Sequence, residues 1–481
     1  MGRLLKKYNS LSPTVKVSFW FVVCNAILKA TQILTTPIYV HILSTTQFGE
    51  YKVFLSWVEL AAIITTLDIF YSGYNVGMEK FREDREKYTS AMHGLCMALT
   101  TLWVVLLVPF APVIAPLIQI SPLQFRLLLL YMYIFPIFQF WSARKRYEYS
   151  YKPLLIATTV SSVFTILLGT LFALTWEEKS DGVIVAKIVA EAIVSIPLLC
   201  VSVKSIKSLF NKYYWKYALK FNIPLVPHYL STMILNHSDV LMIDIICGKT
   251  DAGIYSLAYS IAILVTIIQN AVNSAIVPWM YKKLRERDLS EMSKVTSCVV
   301  GAMVVMNLML VAVAPEAVRI LGTSEYYGAT YVIPPITFGV LLTAVYGLFV
   351  NVEFYFHYNK FAAVASVIAA SSNIVLNYFF ITQYGYIAAG YTTFASYLLL
   401  AVMHYFGLRK VTKKNGMNCH EIINEKLITV LLLGFVAVTL ILVLMYEYIW
   451  LRYALILFAA MGIVLRRNSI KSFAEKILHK N

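Results

Sequence analysis

The chain has 481 residues, of which 59% are hydrophobic and only 14% are charged. So little polar surface cannot cover a water-soluble globule of this size, which excludes a soluble enzyme or carrier and leaves a protein that crosses a membrane many times. Its net charge of +16 is spread over short stretches with no folded basic domain, so anionic lipid headgroups, not nucleic acid, are the expected counter-charge.

Apolar segments recur from end to end, centred near residues 28, 62, 102, 132, 163, 192, 233, 265, 304, 342, 371, 398, 437 and 457. A hydrocarbon core of about 30 Å needs about 20 helical residues per crossing, so these segments predict an all-α integral membrane protein with about 14 transmembrane helices. They lack the alternation that barrel strands would show. Alternate gaps collect most of the 41 Lys and Arg residues: Arg3, Lys6, Lys7 and Lys16 first, then stretches 80–87, 144–152, 204–220, 282–294, 409–426 and the tail after Leu465. The opposite gaps hold only Lys52, Arg126, Lys179, Lys249, Arg319 and Arg452. By the positive-inside rule both termini are expected in the cytoplasm. The start reads as an uncleaved anchor, and Lys6 stands where an acylation signal needs Ser or Thr. In the tail, Ile470, Phe473, Ile477 and Leu478 alternate with Lys471, Lys476 and Lys480, which suits a short helix on the membrane surface.

The chain also repeats itself. Thr46-Gln47-Phe48-Gly49-Glu50-Tyr51, followed by Ser56, matches Thr250-Asp251-Ala252-Gly253-Ile254-Tyr255, followed by Ser260, at Thr, Gly, Tyr and Ser with a common offset of 204. A similar offset relates Gly182 and Ala186 to Gly385 and Ala389. These matches predict two parallel-repeat six-helix bundles around a central cavity, over residues 1–215 and 216–415, with two extra helices and a basic tail in 416–481.

Polar residues line up on the opening helix of each half. Asn25, Lys29, Gln32 and Thr36 form one stripe, which Pro37 is expected to kink; His228, Thr232, Asn236 and Asp239 form the other, after a start bounded by Pro224 and Pro227. An ionisable group deep in a bilayer costs a few kcal/mol, so each implies a partner or a watered cavity. Asn25, Lys29, Gln32, His228, Asn236, Asn270 and Asn273 are the candidate cavity residues. Asp239, Glu191, Lys187 and Asp68 are candidates for ion coupling or charge pairing, with Glu59 as a further acid. Lys187 and Glu191 lie one turn apart, so an internal salt bridge competes with ligand contact. For Asn373 and Asn377 an interhelical hydrogen bond competes in the same way.

No catalytic or cofactor motif appears. Gly248-Lys249-Thr250 resembles the end of a phosphate loop, but Ile243 stands where its leading Gly is required. The six cysteines are scattered without metal-ligand spacing, so neither a metal site nor a disulfide framework is expected. The connections, about 10 to 20 residues at most, are too short to house a soluble domain.

Four stretches carry a family resemblance: Leu43 to Tyr51 (LSTTQFGEY), Ile223 to Ile243 (IPLVPHYLSTMILNHSDVLMI), Gly253 to Tyr281 (GIYSLAYSIAILVTIIQNAVNSAIVPWMY) and Asn373 to Tyr397 (NIVLNYFFITQYGYIAAGYTTFASY). In this order they resemble the O-antigen and capsule repeat-unit flippases of the multidrug/oligosaccharidyl-lipid/polysaccharide exporter superfamily. The resemblance implies an alternating-access carrier that moves an undecaprenyl-pyrophosphate-linked oligosaccharide across the bacterial plasma membrane. It further implies membrane lipids, a polysaccharide polymerase and a chain-length regulator as partners. A pyrophosphate would favour Lys29 in the cavity, and Asp239, within the second stretch, is the first candidate for coupling to an ion gradient. An exporter of small molecules from the same superfamily is the second reading. A membrane glycan polymerase would be expected to carry a large outward loop, and a scaffold would need no intramembrane charges.

Overall fold

The computed structural model describes residues 13–203, 206–455 and 457, and every regular element among them is a helix. The earlier ones are α1 (Pro13–Ile42), α2 (Thr45–Thr66), α3 (Ser72–Lys80), α4 (Arg85–Leu107), α5 (Ala111–Leu117), α6 (Pro122–Tyr147), α7 (Tyr151–Thr175), α8 (Lys179–Ser202), α9 (Ile206–Leu209), α10 (Lys212–Asn222) and α11 (Val226–Cys247). They are followed by α12 (Lys249–Ala262), α13 (Val265–Glu286), α14 (Met292–Ala312), α15 (Ala314–Leu321), α16 (Ala329–Tyr355), α17 (Asn359–Tyr384), α18 (Ile387–Lys414), α19 (Cys419–Ile422) and α20 (Glu425–Leu444). The basic tail and its proposed surface helix lie outside the described residues.

Local chemistry sets the boundaries. The Ser44 hydroxyl accepts from the Gln47 backbone N–H while the Gln47 side chain accepts from the Ser44 N–H, both at 3.2 Å, so two orphan donors at the start of α2 are satisfied reciprocally. Ser121 and Gln124 repeat the device at the start of α6, where Pro122 supplies a preset φ. Pro227 falls in the first turn of α11, where its missing N–H has no intrahelical partner to lose. Pro37 lies inside α1, which continues past it to Ile42.

Twelve helices among the described residues are long and apolar enough to cross a membrane, against the fourteen expected. The second expected crossing, α2, has the length at 22 residues but carries Glu50, Lys52 and Glu59, and this charge takes it out of the set. The last, near residue 457, runs beyond the described residues. Large apolar side chains such as Leu102, Val105, Leu167, Leu171, Leu433 and Leu440 stand exposed on the helices, as a hydrocarbon solvent permits.

The chain packs as two compact units. One comprises the described residues up to Ser256 with Ile381–Tyr386; the other comprises Leu257–Phe380 with the described residues from Ile387 onward. In the first unit α11 lies along α2. Its core is rich in aromatic rings: Phe70, Tyr74, Tyr88, Phe140 and Tyr214 cluster with Phe81. In the second unit Met280, Val300, Leu341, Val352 and Leu408 form the core, and α20 adds Phe435 and Leu442 to it. Arg452, 1% exposed, pairs there with Glu316, and Tyr446 donates to the Val311 carbonyl at 3.0 Å, so the chain after α20 is tied to α14 and α15.

The two copies of the repeated hexapeptide meet each other inside the first unit. The hydroxyls of Thr46 and Thr250, equivalent positions of the repeat, lie 2.9 Å apart. A methyl group on Gly49 would fall 1.9 Å from the Lys249 carbonyl oxygen, and one on Gly253 would fall 2.3 Å from that of Thr45. Each glycine therefore faces the residue four before the other, a reciprocal contact that brings the first turns of α2 and α12 together backbone to backbone. Lysines seal the same end. Lys249 donates to Asp244 at 2.6 Å and to the Gln119 carbonyl at 2.5 Å, and Lys179 donates to the Ile42 carbonyl at the end of α1 at 2.9 Å. Ser180 donates to Glu50 at 2.6 Å, and Gln124 to Asp181 at 2.8 Å.

This contact predicts that Gly49→Ala lowers stability by about 1–3 kcal/mol or more, because a methyl has no room to enter. Gly301→Ala, whose nearest neighbour would lie 4.0 Å away, is expected to be neutral. Thermal unfolding of the two purified variants checks the contrast.

Candidate functional site

The stripe on α1 faces its own unit. The Asn25 side-chain amide oxygen, Oδ1, accepts from the Arg146 guanidinium of α6 at 3.2 Å, and Lys29 lies within electrostatic range of Glu59 on α2 and His237 on α11. Asn25, Lys29 and Gln32 are exposed, whereas Thr36 is buried and donates to the Gln32 carbonyl at 2.8 Å.

Arg146 belongs to a run of three cations whose charges are handled differently. Arg144 and Lys145 donate to Glu148 at 2.6 and 2.8 Å. Burial works against the Glu148 charge, yet hydrogen bonds from Lys145 and Arg144 hold its carboxyl below the ordinary value. Arg146 instead turns to Asn25 and to a cavity of about 310 Å³, which it lines with Phe70, Tyr71, Asn75, Gln139 and Tyr147. Its walls thus offer a cation, amides and aromatic faces, which suit a phosphate, sugar hydroxyls and a sugar ring respectively.

The charged candidates of the first unit divide into two sets. Lys187 and Glu191 on α8 lie 3.9 Å apart, and Glu191 also accepts a hydrogen bond from the buried Tyr131 hydroxyl on α6. Lys187 lies within range of Glu59 as well. Asp68, 7% exposed and in left-handed backbone conformation just past α2, is electrostatically coupled to Glu59. Lys29, Lys187, Glu59, Asp68 and Glu191 are thereby linked through Glu59 and Lys187. Asp239 lies on α11, is 3% exposed and accepts from the Tyr255 hydroxyl of α12 at 2.5 Å. On α11, Asn236 donates to the Thr232 carbonyl at 2.8 Å, and the Nδ1 atom of His228 is buried with no hydrogen-bond partner.

The second unit has a cavity of a different kind. Gln269, Asn270, Asn273, Thr343 and Tyr346 line about 220 Å³ with apolar side chains between them and no charged residue. Gln269 donates to Thr343 at 2.7 Å, and Asn351 donates to Asn273 at 3.0 Å, which fixes the amides in place. Deeper in this unit, Asn377 donates to Asn373 at 3.2 Å and accepts from Thr392, while Asn373 donates to Thr393 at 3.3 Å. These asparagines bridge α17 and α18.

Three partners were not visible as site residues in the sequence. Arg146 falls in a basic gap that reads as a topology signal, Tyr131 lies in an apolar helix, and Tyr255 stands out only as a repeat position. Only the Asn25 position on the polar stripe pointed towards Arg146.

Comparison with known proteins follows the same line. A family model described as "Polysaccharide biosynthesis protein" matches residues 14–284. An Lsg locus protein of Haemophilus influenzae is 28% identical over 204 residues, 41% of this chain; the chain spans about half, 49%, of that relative. Among solved structures, the lipid II flippase MurJ in an inward closed conformation superposes with a TM-score of 0.68 at 13% identity, covering 93% of this chain and 100% of that one. An inward-facing multidrug resistance MATE family transporter of the MOP superfamily superposes with a TM-score of 0.66, also at 13% identity, covering 81% of this chain and 96% of that one. At this identity the likeness is one of fold.

The Tyr131–Glu191 contact yields a prediction. Removing the donor in Tyr131→Phe leaves a carboxylate inside the unit with one fewer partner, at an expected cost of about 1–2 kcal/mol. Glu191→Gln keeps an acceptor for the tyrosine and is expected to cost less. Thermal unfolding in detergent ranks the two.

Proposed function

Because the chain belongs to the polysaccharide biosynthesis protein family, and folds as transporters do rather than as an enzyme, we propose that it is a flippase for lipid-linked oligosaccharides. The substrate is an undecaprenyl-pyrophosphate-linked repeat unit used to build O-antigen, capsule or exopolysaccharide. The observation that carries this reading is the cavity in the first unit, where the Arg146 guanidinium shares a wall with amides and aromatic rings. That lining matches a cargo with an anionic linker and a hydroxyl-rich head.

Lys29 and Arg146 counter the pyrophosphate in this scheme. Asn25, Gln32, His228 and Asn236 in the first unit, and Asn270 and Asn273 in the second, hydrogen-bond to the sugar along its route. Asp239 couples the cycle to an ion gradient, and the Lys187–Glu191 pair with Asp68 balances charge as cations meet and leave the cargo. The carrier works by alternating access in the bacterial plasma membrane with both termini in the cytoplasm, where the basic gaps meet anionic lipid. It would hand its cargo to a polymerase and a chain-length regulator.

The MATE-like fold favours one second reading, an ion-coupled exporter of small molecules. A flippase ignores competing small cations, whereas such an exporter is inhibited by them.

In cells that depend on this chain, Lys29→Gln and Arg146→Gln are each expected to cut surface polysaccharide by about tenfold or more, the scale of a lost charge-assisted contact. Lipid-linked repeat units should accumulate on the inner face, at unchanged protein level by immunoblot. Normal surface polysaccharide in both variants would remove these residues from the site. Asp239→Asn is expected to abolish the response to a collapsed ion gradient while leaving the protein in the membrane.

A further inference from the structure

We propose that Glu353 and His404 form a proton-binding site inside the second unit and that its occupancy drives transport. The site is a second coupling point in addition to Asp239, it takes the proton as its ion, and it rests on the flippase reading for the transport step alone.

The two residues sit on adjacent long helices, α16 and α18, 51 positions apart in sequence. Their side chains are 0% and 2% exposed, and Nδ1 of His404 lies 2.9 Å from one carboxyl oxygen, Oε2, of Glu353. The other oxygen, Oε1, is buried with no hydrogen-bond partner. A carboxylate with one bare oxygen is costly away from water, and a proton on that oxygen removes the cost. The location adds to the pressure. Glu353 lies in the last turn of α16, where the helix dipole opposes negative charge.

The surroundings are built to hold this pair. The ring of Tyr346 stacks on His404 at 5.5 Å between centroids, and Phe361 closes the edge at 6.1 Å. Gly407, one turn beyond His404, makes room for the carboxyl: a methyl there would fall 2.2 Å from Oε1. The chain then leaves α16 through His357 in left-handed conformation, with the Tyr358 N–H bonded to the Glu353 carbonyl at 2.8 Å. The titratable groups around the pair are mainly phenols. Tyr346 of α16, which stacks on His404, also packs on Tyr397 of α18, and Tyr358, just before α17, stacks on Phe361. The cations nearest on α18, Arg409 and Lys410, lie over the rings of Tyr405 and Tyr358.

The proton balance is simple. Without the added proton the pair is a carboxylate accepting from the Nδ1–H of the neutral imidazole, bonded across α16 and α18. A proton from water adds to Oε1, giving a carboxylic acid beside the neutral imidazole, cancelling the buried charge and weakening the charge-assisted hydrogen bond between the two helices. Loss of that proton to water restores it. An intramembrane ionisable pair of this kind marks a proton path, and its two states give α16 and α18 two strengths of attachment.

The test uses the full chain with ¹⁵N-labelled histidine in lipid nanodiscs, titrated from acid to alkaline pH by NMR. His404 is assigned through His404→Gln, or by replacing the other histidines singly should that variant not fold. The site predicts that the His404 signals shift as the Glu353 carboxyl takes up its proton and that Glu353→Gln moves their midpoint about tenfold or more in proton concentration, as loss of a charge within hydrogen-bond distance should. In cells, Glu353→Gln should remove the dependence of surface polysaccharide output on external pH. A His404 signal that does not titrate, or a folded Glu353→Gln chain with an unchanged His404 midpoint, overturns the site. Proton binding that persists in both tests while no glycan phenotype exists would instead overturn the flippase reading alone.

Discussion

A charge held among membrane helices must find its counterpart inside the chain, and the rest of this structure follows from that constraint. In water a lone lysine or glutamate needs no partner; in hydrocarbon it costs several kcal/mol unless paired or hydrated. The protein meets the cost differently in its two units. The first gathers Lys29, Lys187, Glu59, Asp68 and Glu191 into a linked set of opposite charges. The second lines a cavity with amides and holds the ionisable pairs Glu353–His404 and Arg452–Glu316 among its helices. A carrier of an amphiphile with an anionic link needs both kinds of surface: one that exchanges ionic partners and one that offers hydrogen bonds without net charge.

The contact between the two copies of the hexapeptide gives this arrangement a fixed end. Gly49 and Gly253 let backbone meet backbone, and Lys179 and Lys249 satisfy helix-end carbonyls with their ammonium groups. Both lysines belong to the few cations on the sparsely charged side of the chain. Their role is structural: each ties the backbone of another segment to this end.

The sequence made some of this legible and concealed the rest for physical reasons. Crossings could be read because a hydrocarbon core imposes a length and a composition; α2 departs from the pattern because it combines that length with Glu50, Lys52 and Glu59. Lys187 with Glu191 was visible because helical geometry puts residues four apart side by side, and the 3.9 Å pair is there. Contacts between helices carry no such period. Arg146 looked like one more topology signal until the fold engaged Arg144 and Lys145 with Glu148 and turned Arg146 towards Asn25. Glu353 and His404 meet across 51 residues, and neither stands on a polar stripe that would have announced it.

The central claim is that an anionic lipid-linked sugar crosses by way of the first unit's cation and amide cavity. Its most direct test is reconstitution of the purified chain in vesicles that contain a lipid-linked oligosaccharide, with the sugar on the outer leaflet scored by periodate oxidation over time. The account predicts time-dependent exchange of sugar between leaflets that is lost in Arg146→Gln and absent for a control glycolipid whose sugar is joined to the lipid without a phosphate. Exchange no faster than in protein-free vesicles, or undiminished exchange in Arg146→Gln, would contradict it.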